Sequence, residues 1–218
     1  MTTPKTLKID FVSDVVCPWC AIGLVSLETA LKRLDGVVQA DIHVQPFQLN
    51  PDMPAEGEDI VEHLSRKYGM APEQVRANQA AIRQRGQQVG FEFSAEGRSR
   101  TWNTFDAHRL LHWAGLQGRE LELKHALLSA YFTHGENPSD HQLLLSKAAA
   151  VGLDVDAARQ VLESDAHADA VRERLRFYAS QGIQSVPSVI VNDRHLIQGG
   201  QPPEVFEQAL RQLAEAAA

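Results

Sequence analysis

Cysteine is the scarcest residue in this chain: 218 residues contain two, and both lie in one tetrapeptide, Cys17-Pro18-Trp19-Cys20. That scarcity excludes a scaffold stapled by several disulfides, and a bridge across a two-residue gap would remove almost no loop entropy from the unfolded chain. A four-cysteine zinc site is excluded too, although nine histidines leave a mixed site open. Basic charge is in deficit, with 21 Lys and Arg against 28 Asp and Glu and a net charge of −7. Sequence-independent nucleic-acid binding, which rests on many Lys and Arg contacts to phosphate, is therefore not expected. No apolar run approaches the length of a membrane span. Met1-Thr2-Thr3-Pro4-Lys5-Thr6 leads into the first strand without the apolar stretch of a secretory signal. The expectation is a cytoplasmic protein with no membrane or nucleic-acid partner. In a reducing cytosol a lone dithiol points to catalysis or redox sensing more than to structure.

What is present, 44% hydrophobic and 22% charged residues, suits one sizeable core carrying an insertion. Leu7, Ile9 and Phe11 alternate with Lys8 and Asp10, which predicts a strand with one strongly apolar face. A helical pattern begins at Pro18, so Cys17 is expected at a strand-to-helix turn. There the free backbone N–H groups of Trp19 and Cys20 and the positive end of the helix dipole stabilise a thiolate. A thiol with pKa near 8.5 falls to roughly 3.5–7.5 in such a setting. Pro18 suits the first helical turn, where its missing N–H costs nothing. Pro18 and Trp19 bring no cation, so the helix terminus is expected to act almost alone, with Asp14 opposing it. The helix carries Ile22, Leu24, Val25, Leu27, Ala30, Leu31 and Leu34 and is expected to stop at Gly36. A second strand follows at about Gln39 to Leu49; Pro46 cannot donate to a ladder, which predicts an edge strand or a bend. Together these make a β-α-β unit with a right-handed crossover.

From Asn50 to about Gly182 the apolar period is helical. Ile60 to Tyr68 predicts one helix ended by Gly69, and Pro72 opens another in which Gly86 is expected to interrupt. Gly97-Arg98-Ser99-Arg100 suggests an exposed loop. Further helices are expected from Asn103 to Ala114, around Leu121 to Phe132, after a capping box of Ser139 with Gln142, after Asp154, and after Asp165. His108 and His112 are four apart, a spacing compatible with a metal, but no third ligand is evident and no metal site is expected. After Gly182 strands return: Val186-Pro187-Ser188-Val189-Ile190-Val191, a turn at Asn192-Asp193-Arg194, and His195 to Gln198. Pro202-Pro203 opens a last helix with Phe206, Leu210 and Leu213 inward.

Four stretches, Asp10 to Cys20, Pro46 to Pro51, Asn103 to Leu110 and Gly199 to Pro203, together resemble the DsbA-like branch of the thioredoxin fold. More narrowly the chain resembles FrnE-type oxidoreductases, kin of 2-hydroxychromene-2-carboxylate isomerases and kappa-class glutathione transferases. The resemblance implies an α/β thioredoxin fold, β-α-β then β-β-α, with a large all-helical insertion between the second and third strands. Residues 1–49 and 184–218 would form the thioredoxin-like domain and residues 50–183 the insertion. It implies a cis peptide before Pro187, close to the dithiol, leaving the Val186 backbone to pair with substrate. Asn50 and the Gly200-Gln201 stretch lie where relatives hold glutathione, a candidate co-substrate; no bound cofactor is expected. Pro18 and Trp19 are expected at the substrate-facing surface, and His108 facing the dithiol from the helical segment. Those kin typically carry serine where Cys17 stands, so the full pair favours exchange with protein or small-molecule thiols and disulfides. In that exchange Cys17 attacks and Cys20 resolves. A glutathione-dependent isomerase or transferase and a non-catalytic client-binding module are the alternatives.

Overall fold

The alternating apolar residues near the N-terminus do form a strand, β1 (Lys5–Ser13), in a computed structural model that describes residues 4–96 and 98–216. The readings above that include Met1 to Thr3 and Gly97 lie partly outside the described residues. Leu7, Ile9 and Phe11 enter the main core as expected, but the opposite face is buried as well. Val12 packs with Tyr178 and Ile183 there, and Asp10 is buried while accepting a hydrogen bond from Gln45 Nε2 at 2.7 Å. Period-two alternation shows only that one face is apolar, and a second layer covers the other.

α1 (Pro18–Arg33) and β2 (Val38–Pro46) complete the crossover, and β2 runs parallel to β1 from Lys5↔Val38 to Ser13↔Pro46. β2 is an edge strand, as Pro46 predicts, and ends there instead of at Leu49. α1 stops at Arg33, with Gly36 (φ 75°) in the turn beyond it. β5 (Ser188–Val191) pairs antiparallel with β1, and β6 (His195–Gln198) pairs antiparallel with β5, giving the order β2-β1-β5-β6. Asn192 and Asp193, both at positive φ (53° and 57°), make the tight turn of this hairpin. α9 (Pro203–Ala216) then packs on α1.

The middle segment is not wholly helical. β3 (Glu58–Asp59) pairs with β4 (Arg100–Thr101), and the Arg100 guanidinium fastens the ribbon by donating to the carbonyls of Glu56 and Gly57. Between them run α2 (Ile60–Tyr68), ended by Gly69 at φ 65°, and α3 (Pro72–Val89). Gly86 does not interrupt α3: it is a buried helical residue lying against the Phe93 ring. There follow α4 (Phe105–Leu116), α5 (Glu120–Phe132), α6 (His141–Ala150), α7 (Val155–Glu163) and α8 (Ala168–Ser180). Asp154 caps α7 as predicted, by accepting the Ala157 N–H at 2.9 Å. Two caps differ. Asp140, not Ser139, caps α6 through the Gln142 N–H, because the Ser139 hydroxyl turns to Asn137. α8 starts after His167 (φ 62°), with Asp165 one turn earlier accepting the Ala168 N–H on its carbonyl. One hydrophobic cluster runs through both parts of the chain, from Leu7, Phe11 and Leu24 to Leu110, Leu127 and Leu144.

Candidate active site

Cys17 sits at the N-cap of α1 with extended backbone (φ −92°, ψ 113°), Pro18 opens the first turn, and no acidic residue occupies that turn. The thiol therefore stands at the positive end of the helix, as the sequence implied, with the Cys20 N–H also donating to the Cys17 carbonyl at 3.1 Å. Both cysteines are present as thiols. Cys17 is 3% exposed and lines a cleft of about 570 Å³; Cys20, one turn on, is 0% exposed. Burial pushes the Cys17 thiol up, but hydrogen bonds from the Cys20 side chain, the Cys20 N–H and the Trp19 N–H outweigh it and carry its pKa below the ordinary value, against the Asp14 charge. Burial and then Cys17 itself push Cys20 well above the ordinary value. The Cys17 Sγ–H also points to the Val186 carbonyl, 3.6 Å away.

Val186 precedes Pro187 through a cis peptide bond, and Pro187 packs on α1 where Gly23 leaves room: a Cβ at Gly23 would stand 3.0 Å from Pro187 Cγ. Trp19, 42% exposed, stands at the cleft with Pro18 and Val186. The opposite wall comes from α2 and α3, with Tyr68, Met70, Val75 and Ile82. Asn50 joins this cleft, and its Oδ1 accepts from Lys67 Nζ at 2.8 Å and lies 2.9 Å from His63 Nε2. Gly200 and Gln201 lie elsewhere, behind the tryptophan: Gly200 abuts the Trp19 carbonyl, and the Gln201 amide donates to the Gln198 carbonyl. His108 is buried with its Nε2 3.2 Å from Asp14 Oδ1, while the Leu49 N–H donates to Asp14 Oδ2 at 2.8 Å. Burial works to raise the Asp14 carboxyl, but the His108 hydrogen bond and charge, the Leu49 N–H and Lys124 bring it below its ordinary value.

Three residues here escaped sequence reasoning. Lys67 is the cation beside Asn50. Arg98, expected in an exposed loop, donates to the Val16 carbonyl at 2.8 Å and lies over the Tyr131 and Phe132 rings, so it braces the turn that presents Cys17. Lys124 of α5 is fully buried within electrostatic reach of Cys20, Asp14 and Cys17. Lys67, in α2 close to a candidate site residue, and Lys124, among the apolar positions Leu121, Leu123, Leu127 and Leu128 of α5, carried weak signals, a cation near a candidate site and a charge on a core face. His112 lies near His167, ring centroids 5.3 Å apart, and among the described residues no group of three or more His, Cys, Asp or Glu is placed to hold a metal.

The description of a DsbA-like thioredoxin domain matches residues 8–211, nearly the whole chain. This chain belongs to that family. It is 31% identical to a probable DsbA oxidoreductase of Streptomyces coelicolor, SCO1869, whose crystal structure superposes with a TM-score of 0.89 over 97% of this chain and 91% of that one. It is 29% identical to the uncharacterized protein YwbO of Bacillus subtilis (strain 168), over 94% of this chain and 96% of YwbO. A cytosolic disulfide reductase, DsbM of Pseudomonas aeruginosa, solved with GSH, shares the fold at 15% identity, with a TM-score of 0.68 over 95% of this chain and 99% of DsbM. The DsbA-like fold expected from the four sequence stretches is thus the fold of the protein.

Proposed function

We propose that this DsbA-like thiol oxidoreductase exchanges disulfides through Cys17 as the attacking sulfur and Cys20 as the resolving one. The observation that carries the assignment is geometric: Cys17 stands at the N-cap of α1 and lines an open cleft, whereas Cys20, one turn on, is fully buried and does not reach it. The Cys17 thiolate attacks a substrate disulfide, one substrate sulfur leaves as thiolate, and a mixed disulfide forms. Cys20 then loses its proton and attacks Cys17 Sγ, closing the enzyme disulfide and releasing the second substrate thiolate. In the opposite direction a substrate thiolate opens the enzyme disulfide at Cys17. Pro18, Trp19 and Val186 flank the attacking sulfur, and Pro187 holds Val186 against it.

Protein and small-molecule thiols and disulfides both fit this chemistry. Glutathione is proposed as a co-substrate, supported by the Asn50 amide and the Lys67 ammonium in the Cys17 cleft, a pair suited to a peptide backbone and a carboxylate. The GSH held by DsbM supports the same reading. A cytoplasmic setting accords with a reductive role. Among the described residues no helix is long and apolar enough to cross a membrane. An isomerase that only activates glutathione would need Cys17 alone, whereas Cys20 here hydrogen-bonds Cys17 and is fully buried one turn on.

The test is catalysed reduction of insulin by glutathione. Cys17→Ser should abolish it, and Cys20→Ser should stop turnover while accumulating a mixed disulfide at Cys17. Limiting iodoacetamide should label Cys17 ahead of Cys20. Turnover that survives Cys17→Ser would sink the assignment.

A further inference from the structure

Lys124 has no use in the exchange chemistry above, yet its placement is costly. Its side chain is 0% exposed, and among the described residues its Nζ has no hydrogen-bond partner. A methionine would fill similar volume on α5 without stranding a polar atom in the core. α5 packs on α1, and within electrostatic reach of the buried ammonium are Cys20 and Cys17 from α1 and Asp14 from the turn before it. Asp14 is shared with His108 of α4 and with the Leu49 N–H, and Tyr131 and Lys67 also lie within electrostatic reach of that carboxylate. Several other charged groups on elements packed against α5 are paired elsewhere: His43 of β2 with Glu120 and Asp41, Glu28 of α1 with His125, Lys147 of α6 with Glu136, Arg109 of α4 with Asp106; His112 of α4 lies by His167.

We propose that reduction of the dithiol is coupled to proton uptake by Lys124, which is a neutral amine beneath the disulfide and an ammonium beneath the Cys17 thiolate. The inference rests on the dithiol reading above. Burial lowers the Lys124 pKa, and the charges that oppose this are those of Cys20, Asp14 and Cys17. The two sulfur charges exist only once the disulfide has opened. The step balances as follows. Two donor thiols supply two electrons and two protons; the Cys17–Cys20 bond breaks and a donor disulfide forms. One proton ends on Cys20, whose burial keeps it a thiol, and the other on Lys124, while Cys17 remains a thiolate. Anion and cation appear together, so the buried site gains no net charge, and a lone thiolate facing Asp14 is avoided.

Two measurements on the full chain test this. Dithiothreitol gives up two protons at neutral pH as it reduces the wild-type disulfide. If both are taken up, an indicator dye in weak buffer records no net release while the thiolate absorbance appears. One proton released per disulfide, with the thiolate present, overturns the proposal, and this count needs no variant. In Lys124→Met the equilibrium constant for reduction by glutathione should fall about tenfold, ~30 mV towards a more reducing couple, and the pH profile of Cys17 alkylation should move upward. A lysine that merely fills space would change oxidised and reduced forms alike, so a constant within about twofold of wild type also overturns it. Lys124→Gln serves if the methionine variant does not fold. A wild-type dithiol that never equilibrates with glutathione defeats the exchange reading and this inference together; normal exchange with one proton released defeats the inference alone.

Discussion

Asp14 is the residue on which the electrostatics of the dithiol turn. Three positions before Cys17, it opposes the thiolate, and it is itself held ionised by His108, the Leu49 N–H and Lys124 against the burial that works to neutralise it. Asp14→Asn should therefore lower the Cys17 pKa, and the pH profile of its alkylation should move down. The variant should also change acid stability. The folded pKa lies below the ordinary 3.8, so the folded state binds this proton less readily than the unfolded chain. The stability this carboxylate contributes is complete above the unfolded value and is lost as pH falls through the folded one. Urea midpoints at neutral and acid pH should show a smaller acid loss in Asp14→Asn than in wild type; an equal loss would mean that other carboxylates control acid unfolding. The opposing role of Asp14 was legible in the sequence because it is local. Its partner His108 was expected to face the dithiol, and its pairing with Asp14 was not legible, since nothing in the spacing of residues 14 and 108 connects them.

The helices and the four strands of the main sheet were legible to within about a turn, whereas the short β3–β4 ribbon was not. Ser139 and Asp165 are as good at capping as the residues that surround α6 and α8, and the choice among them fell to side-chain contacts that local pattern does not carry: the Ser139 hydroxyl is engaged by Asn137. Gly86 shows the same limit. A glycine amid helical periodicity suggests a break, yet α3 continues through it because the Phe93 ring occupies the space a side chain would need. A Cβ there would stand 2.4 Å from Phe93 Cδ2 and Cε2 and 2.9 Å from the Phe91 carbonyl oxygen. Alanine gains about 1 kcal/mol of helix propensity, but overpacking of this kind costs about 1–3 kcal/mol. Gly86→Ala is expected to destabilise by about 1 kcal/mol, read as a lower urea midpoint at unchanged slope. A variant more stable than wild type would show that Phe93 moves aside freely.

At the scale of the molecule, we propose that residues 1–49 with 184–218 and residues 50–183 are two parts in sequence but one unit in stability. Their apolar residues belong to one cluster, so neither part has a core that closes without the other. Unfolding in urea should be a single transition, with tryptophan fluorescence and far-ultraviolet circular dichroism coinciding. Trp19 reports from the first part and Trp102 and Trp113 from the second. Transitions separated between these probes, in single-tryptophan variants, would show that the helical segment is an independent domain. The cleft lies between those parts, walled by α2 and α3 on one side and by Trp19 and Val186 on the other, so its integrity depends on the shared core.

By itself the sequence determined the pair of thiols, their place at a helix start, the order of the strands and the family to which the whole belongs. The first three follow from periodicity, from turn chemistry and from backbone dipoles that act within a few residues; the family was legible as a resemblance carried by four stretches of the chain. The tertiary structure alone decided which charges gather about the turn and cleft of the dithiol: His108 on Asp14, Arg98 on the Val16 carbonyl, Lys67 beside Asn50 and Lys124 buried within electrostatic reach of Cys20. Those groups come from four different stretches of the middle segment. Coulombic and desolvation effects depend on distance through space and on the exclusion of water, and neither exists until packing has brought those stretches over the dithiol.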